Sequence, residues 1–230
     1  MFRVIQRLIM TFLVGVFLTT SSLADSFDQA NDAFDRGDYR KAAAIWLSLA
    51  EKGDREAQFN MGFMFDQGHG VEQNFGKAFG WYQRAAEQNL VDAQYQVAIK
   101  LDQGIGVPKD ATRAFEWYKR AAEQGHIDSQ NNLASSYENG LGVAANLNQA
   151  VYWYRIAANN GQHQAQNTLG ILYYQGEGVP EDIVQALAWL LRSAAQGNAD
   201  AENNVRLISN ALNEAQRKKA RELASKALSN

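Results

Sequence analysis

Four tryptophans, Trp81, Trp117, Trp153 and Trp189, stand 36 residues apart, and that interval restricts the fold more than any other property of the chain. The same step separates the glycine pairs Gly68/Gly70, Gly104/Gly106, Gly140/Gly142 and Gly176/Gly178. It also separates Val71, Val107, Val143 and Val179, then Asn74, Asp110, Asn146 and Asp182, then Ala78, Ala114, Ala150 and Ala186. Four copies run from Gly53 to Gln196 without an insertion or deletion. A fixed period of this length marks stacked supersecondary units: one unit cannot cover its own apolar face, so neighbours must cover it.

Each column has a physical reading. Ala57, Met61, Gly62 and Phe65 follow at spacings of four, one and three, which places them on one face of a helix. Gly68 then takes the left-handed conformation that ends a helix. Gly70 permits a second bend, Val71 plugs the loop into the core, and Asn74 caps the next helix through its side-chain oxygen. That second helix is expected to reach about Gln88 and to bury Ala78, Trp81, Tyr82, Ala85 and Ala86. Two prolines in 230 residues, and no strand-like alternation, point the same way. The expected fold is all-α: a right-handed α-solenoid of stacked antiparallel helix pairs.

The pattern in residues 125–160, with Leu133-Ala134, Tyr137, Gly140-Leu141-Gly142-Val143, Ala150, Trp153-Tyr154 and Ala157-Ala158, resembles the Sel-one-like repeat, a relative of the tetratricopeptide repeat. The copy at 161–196 restores Leu169-Gly170 and Tyr173 but has Leu190 where the other copies have Tyr. This resemblance implies an adaptor that binds protein. For an exported bacterial member it implies envelope signalling or the modulation of cell-wall enzymes.

Domain expectations follow from the period. Residues 1–24 read as a cleaved signal peptide: Arg3 and Arg7, an apolar run from Leu8 to Leu18, then Ser22-Leu23-Ala24 for cleavage. The run is shorter than the roughly 20 apolar residues a spanning helix needs, so no stable membrane insertion is expected after cleavage. Residues 25–52 read as a degenerate half-repeat or cap, with Phe27 to Phe34 and Tyr39 to Lys52 as helices around a turn at Gly37-Asp38. The repeats are 53–88, 89–124, 125–160 and 161–196. A partial repeat and a capping helix at 197–230 close the chain; there Asn213 caps, Leu212, Leu223, Ala224 and Ala227 face the core, and Arg217, Lys218, Lys219 and Arg221 face solvent. Capped ends favour a monomer, and the expected location is the periplasm of a Gram-negative host, or the exterior.

Composition narrows the function. Loss of Arg3 and Arg7 leaves 20 basic against 25 acidic residues, a net charge of −5, which gives no electrostatic reason for a nucleic-acid partner. There is no cysteine, so neither a disulfide nor a thiol nucleophile is available. His69, His126 and His163 lie in different columns without metal-ligand spacing and read as solvated or loop residues. The Gly-x-Gly loops follow helices and lack a third glycine, which argues against a phosphate cradle. No catalytic, cofactor-binding or metal-binding residue is expected. Two other readings are a cell-wall-active enzyme, or direct inhibitor of one, and a chaperone-like holder of exported chains.

The expected binding surface is the concave side, lined by the first helix of each pair. Opposite the Ala57/Met61/Phe65 stripe fall three columns: Phe59, Tyr95, Asn131, Asn167 and Asn203; Phe63, Ile99, Ser135, Ile171 and Leu207; Asp66, Asp102, Glu138, Tyr174 and Asn210. Aromatic residues would anchor a peptide at one end. A row of carboxamides would meet its backbone, since each offers a donor and an acceptor. The acids would favour a basic segment. The competing reading is that these side chains pack between adjacent helices or are merely solvated.

Overall fold

The computed structural model describes residues 25–226, and among them it contains helices and no strands. The expected signal peptide and Ala227 lie outside the described residues. Helix α1 spans 25–35, followed by α2 (Tyr39–Glu51), α3 (Arg55–Gln67), α4 (Phe75–Glu87), α5 (Val91–Gln103), α6 (Ala111–Glu123), α7 (Ile127–Asn139), α8 (Leu147–Asn159), α9 (His163–Gln175), α10 (Ile183–Ala194), α11 (Ala199–Ser209) and α12 (Glu214–Lys226). Odd-numbered helices open a pair and even-numbered helices close it. The fold is an all-α repeat solenoid whose described residues form two compact units, dividing between Lys109 and Asp110. In the first, α3 packs on α2 and α4, and α4 on α5; in the second, α6 to α10 pack in succession and α10 also holds α11 and α12.

Local chemistry sets the boundaries. Asn74, Asp110, Asn146 and Asp182 each accept a hydrogen bond from the backbone N–H three residues on, at Lys77, Arg113, Gln149 and Gln185. Gly68, Gly104, Gly140 and Gly176 end the first helices with φ between 68° and 75°. The second loop glycine does more than bend the chain. A Cβ at Gly106 would sit 2.3 Å from the Phe75 backbone, and one at Gly142 would sit 2.1 Å from the Ala111 carbonyl oxygen. Both glycines also have φ +75°. The loop therefore lies directly against the first turn of the preceding pair's second helix, where no side chain fits.

Small residues let the helices approach, and large ones fill what remains. In the first unit Ala30, Ala33, Ala42, Trp46, Leu49, Met61 and Met64 form one core, with Phe34, Phe63 and Val71 packed on its edge. In the second, Ala150, Tyr154, Leu169 and Leu172 share a core with Val179 and Trp189. Burying a side chain the size of Leu133 or Leu190 contributes about 2 kcal/mol. The expected burial of Trp81 is only partial, and the fully buried aromatic of that pair is Tyr82, at 2 % exposure. Instead an arginine three residues on covers the indole: Arg84 on Trp81, Arg120 on Trp117 and Arg192 on Trp189, at 4.5, 4.6 and 4.3 Å.

A buried polar column escaped the sequence reading. Gln58, Gln130 and Gln166 donate their side-chain N–H to the carbonyls of Ala50, Ala122 and Ala158, at the end of the preceding helix. Their side-chain oxygens accept from Gln88, Asn160 and Gln196, at the end of their own pair. Each amide thus ties three consecutive helices. It is tolerated in the interior because donor and acceptor are both used.

At the far end, Asn213 and Gln216 cap α12 reciprocally, each side chain accepting the other's backbone N–H at 3.0 Å. Arg217 does not face solvent as expected. It is half-buried and donates to the carbonyls of Ser209, the last residue of α11, and Leu212 in the turn that follows. Lys218, Lys219 and Arg221 are exposed.

Candidate functional site

The proposed binding columns lie on the first helices of the pairs, and each unit treats them differently. In the first unit Phe59, Phe63 and Asp66 stand on α3 and Tyr95, Ile99 and Asp102 on α5, all half-buried. The Phe59 ring lies 5.3 Å from Tyr82. Phe63 is wedged 6.0 Å from Phe34 and 5.8 Å from His69. Part of this aromatic strip is therefore consumed by packing between helices.

Asp66 is not an open acid. Its Oδ1 lies 2.5 Å from the Nζ of Lys100, whose side chain is 5 % exposed. The ammonium also sits 5.6 Å from the Phe75 ring and 5.7 Å from the Tyr82 ring. A lysine is rarely buried unless paired, and here carboxylate and ring faces replace its water. Burial, and next the charge of Asp66, push the Tyr82 hydroxyl above its ordinary range, so it stays protonated.

In the second unit Asn131, Ser135 and Glu138 stand on α7, Asn167, Ile171 and Tyr174 on α9, and Asn203 on α11. Asn131 donates to Asn132, Asn167 accepts from Asn204 at 3.1 Å, and Asn203 accepts from Arg206. Each carboxamide keeps hydrogen-bonding capacity beyond that one bond. Ile171 is half-buried, whereas Tyr174 is 45 % and nearby Leu207 71 % exposed. Glu138 accepts the Tyr154 hydroxyl at 2.7 Å; burial first, and this bond second, raise that hydroxyl well above its usual range.

The acidic row expected to attract a basic ligand is thus engaged internally. Asp66 pairs with Lys100, Glu138 with Tyr154, and Asp102 lies 4.0 Å from Lys109. Asp102 and Lys109 are exposed enough for that pair to contribute little. His69 and His126 lie in loops as expected and His163 opens α9, but all three are half-buried and have partners. His69 stacks on Tyr39 at 4.6 Å, the His126 Nδ1 caps α7 through the Ser129 N–H, and His163 meets Asn198 at 3.3 Å. A neighbouring pair supplies most of these partners, and a helical wheel of one helix does not contain them. Among the described residues no cluster of His, Cys, Asp or Glu could hold a metal ion, and no helix is long and apolar enough to cross a membrane.

Comparison with known proteins agrees with the repeat. The Sel1 repeat model matches residues 55–90, 91–126, 127–162 and 163–198. Among proteins with curated descriptions, none matches. A Sel1 repeat protein from Oxalobacter formigenes is 29 % identical, with TM-score 0.71 over 78 % of this chain and 73 % of that one. A protective antigen of uropathogenic Escherichia coli strains, displaying an SLR fold, is 28 % identical, with TM-score 0.59 over 92 % of this chain and 54 % of that protein. An immunity protein of Pseudomonas aeruginosa, at 18 % identity and TM-score 0.51 over 88 % of this chain and 82 % of its own, shares the fold alone. With four tandem matches spanning more than half of its length, the chain belongs to the Sel1 repeat family.

Proposed function

We propose that this chain is an exported adaptor that holds a protein or peptide on the first-helix face of its repeats. Sel1 repeat proteins generally mediate protein–protein interaction and are typically non-catalytic. The observation that carries the proposal is the second unit's strip. Asn131 and Asn167 keep carboxamide capacity, with Ile171 half-buried and Tyr174 and Leu207 exposed beside them. Carboxamides serve an extended ligand's peptide groups, and the apolar side chains serve its anchors. Export rests on the basic, apolar and small-residue order of the first 24 residues. In a Gram-negative host the compartment is the periplasm.

The test places a photocrosslinking residue at Tyr174, or at exposed Gln149 on α8, in cells. Adducts are expected from position 174 and not from 149, and they should be lost when Asn131→Ala and Asn167→Ala are combined in a variant of unchanged helicity. Equal adducts from both positions, or adducts indifferent to the double change, would overturn the proposal. So would saturable turnover of peptidoglycan or a β-lactam by the purified chain.

A further inference from the structure

A second feature of the first unit lies away from that strip. Between α2 and α4, over the end of α3, a cleft of about 360 Å³ is lined by Leu47, Phe65, Lys77, Gly80, Trp81 and Arg84. Its walls are the Trp81 indole, the Phe65 ring and the Leu47 side chain. Arg84 lies over Trp81 at 4.5 Å and Lys77 over Phe65 at 5.3 Å. Among the described residues neither cation is paired with a carboxylate.

Two departures from the repeat open this cleft. Gly80 stands inside α4, where glycine disfavours a helix, and a Cβ there would meet nothing within 4 Å. The same column holds Glu116, Tyr152 and Ala188 in the other copies. Leu47 occupies a column that continues as Gln83, Lys119, Arg155 and Leu191, so the helix preceding each of the other three tryptophan helices offers Gln83, Lys119 or Arg155 there instead. An apolar wall and a missing side chain thus coincide in one pair. The indole–arginine stack itself recurs and is part of the scaffold; the space beside it in this pair is not.

The two cations stand at opposite ends of the cleft. Lys77 and Arg84 are seven residues apart on one helix, which at 1.5 Å per residue sets them about 10 Å apart along its axis. A peptide in the extended polyproline II conformation covers about 9 Å in three residues and returns its side chain to the same face. We infer that the cleft takes an extended acidic segment of a partner protein, with carboxylates at its first and fourth positions and an apolar side chain between them. The anchor lies against Trp81 in the space left by Gly80, and Lys77 and Arg84 each meet one carboxylate.

The test uses the whole chain and three fluorescein-labelled hexapeptides: Gly-Glu-Leu-Ala-Glu-Gly, its Lys-for-Glu counterpart, and Gly-Glu-Gly-Ala-Glu-Gly. The first is expected to bind about tenfold or more tightly than either of the others. Gly80→Leu, which raises helix propensity while filling the cleft, should weaken it by about tenfold. Lys77→Glu with Arg84→Glu should transfer preference to the lysine peptide. Equal binding of the three peptides, no binding of the first at roughly 1 mM, or indifference to Gly80→Leu would overturn the inference. So would adsorption to phosphatidylglycerol vesicles without any preference among the peptides. None of these outcomes bears on the first-helix strip, which the crosslinking experiment tests separately.

Discussion

In the first unit Phe63 is wedged between Phe34 and His69; in the second, the same column holds Ser135, whose carbonyl and hydroxyl are met by Asn139. One position later, Lys100 on α5 reaches Asp66, while Ser136 on α7 turns its hydroxyl back to the Asn132 carbonyl of its own helix. The helices, caps and loops around these positions match. What differs is whether an adjacent helix provides something to pack or pair with. Columns facing the next turn of the scaffold are held constant by close approach, whereas first-helix columns change with the neighbour.

The largest effect expected from this contrast is at Lys100. Lys100→Ala strands Asp66 at a largely buried site and should cost about 3 kcal/mol, read as a lower thermal midpoint. Asp102→Asn, which removes an exposed pair, should change the midpoint little. A similar loss for both would erase the distinction between buried and surface acids in this column.

The glycine loops should behave alike in both units. Gly106→Ala and Gly142→Ala each force a Cβ onto backbone at positive φ and should cost about 2 kcal/mol or more. Urea unfolding that separates them sharply would mean the shared scaffold is less uniform than its geometry. Next comes the direct exchange in the face column. Phe63→Ala should cost about 2 kcal/mol, less than a fully buried phenylalanine because Phe63 is half-exposed, and Ser135→Ala should fall within about 0.5 kcal/mol of the parent. A loss of about 1 kcal/mol, smaller than that of Phe63→Ala, is expected for Gln166→Ala, which removes the bond to the Ala158 carbonyl and the one from the Gln196 amide. A neutral result there would show that the glutamine column does not tie the pairs.

Much of this fold is legible without coordinates. The cap oxygens of Asn74 and Asp110, the left-handed Gly68, and the alanine and tyrosine columns act within a few residues of chain, and their order is their mechanism. The candidate site was legible only as a set of columns. A wheel drawn for α3 places Phe59, Phe63 and Asp66 away from the core stripe, yet all three are half-buried because neighbouring elements also cover that side. Gln58 reads as an ordinary polar residue until the Ala50 carbonyl and the Gln88 amide are brought to it. Arg217 reads as a solvent-facing charge until the Ser209 and Leu212 carbonyls, at and just beyond the end of α11, are brought to it.

The period, the helix boundaries and membership of a repeat family were properties of the sequence alone, because capping, turn conformation and apolar periodicity are short-range. Which acids are neutralised, which aromatics are wedged and where a cleft opens were decided by packing. Those outcomes depend on residues about 30 positions away, such as Lys100 against Asp66, or Leu47 against Trp81. Local pattern carries no record of such distances; only the stacking of one helix pair on the next closes them.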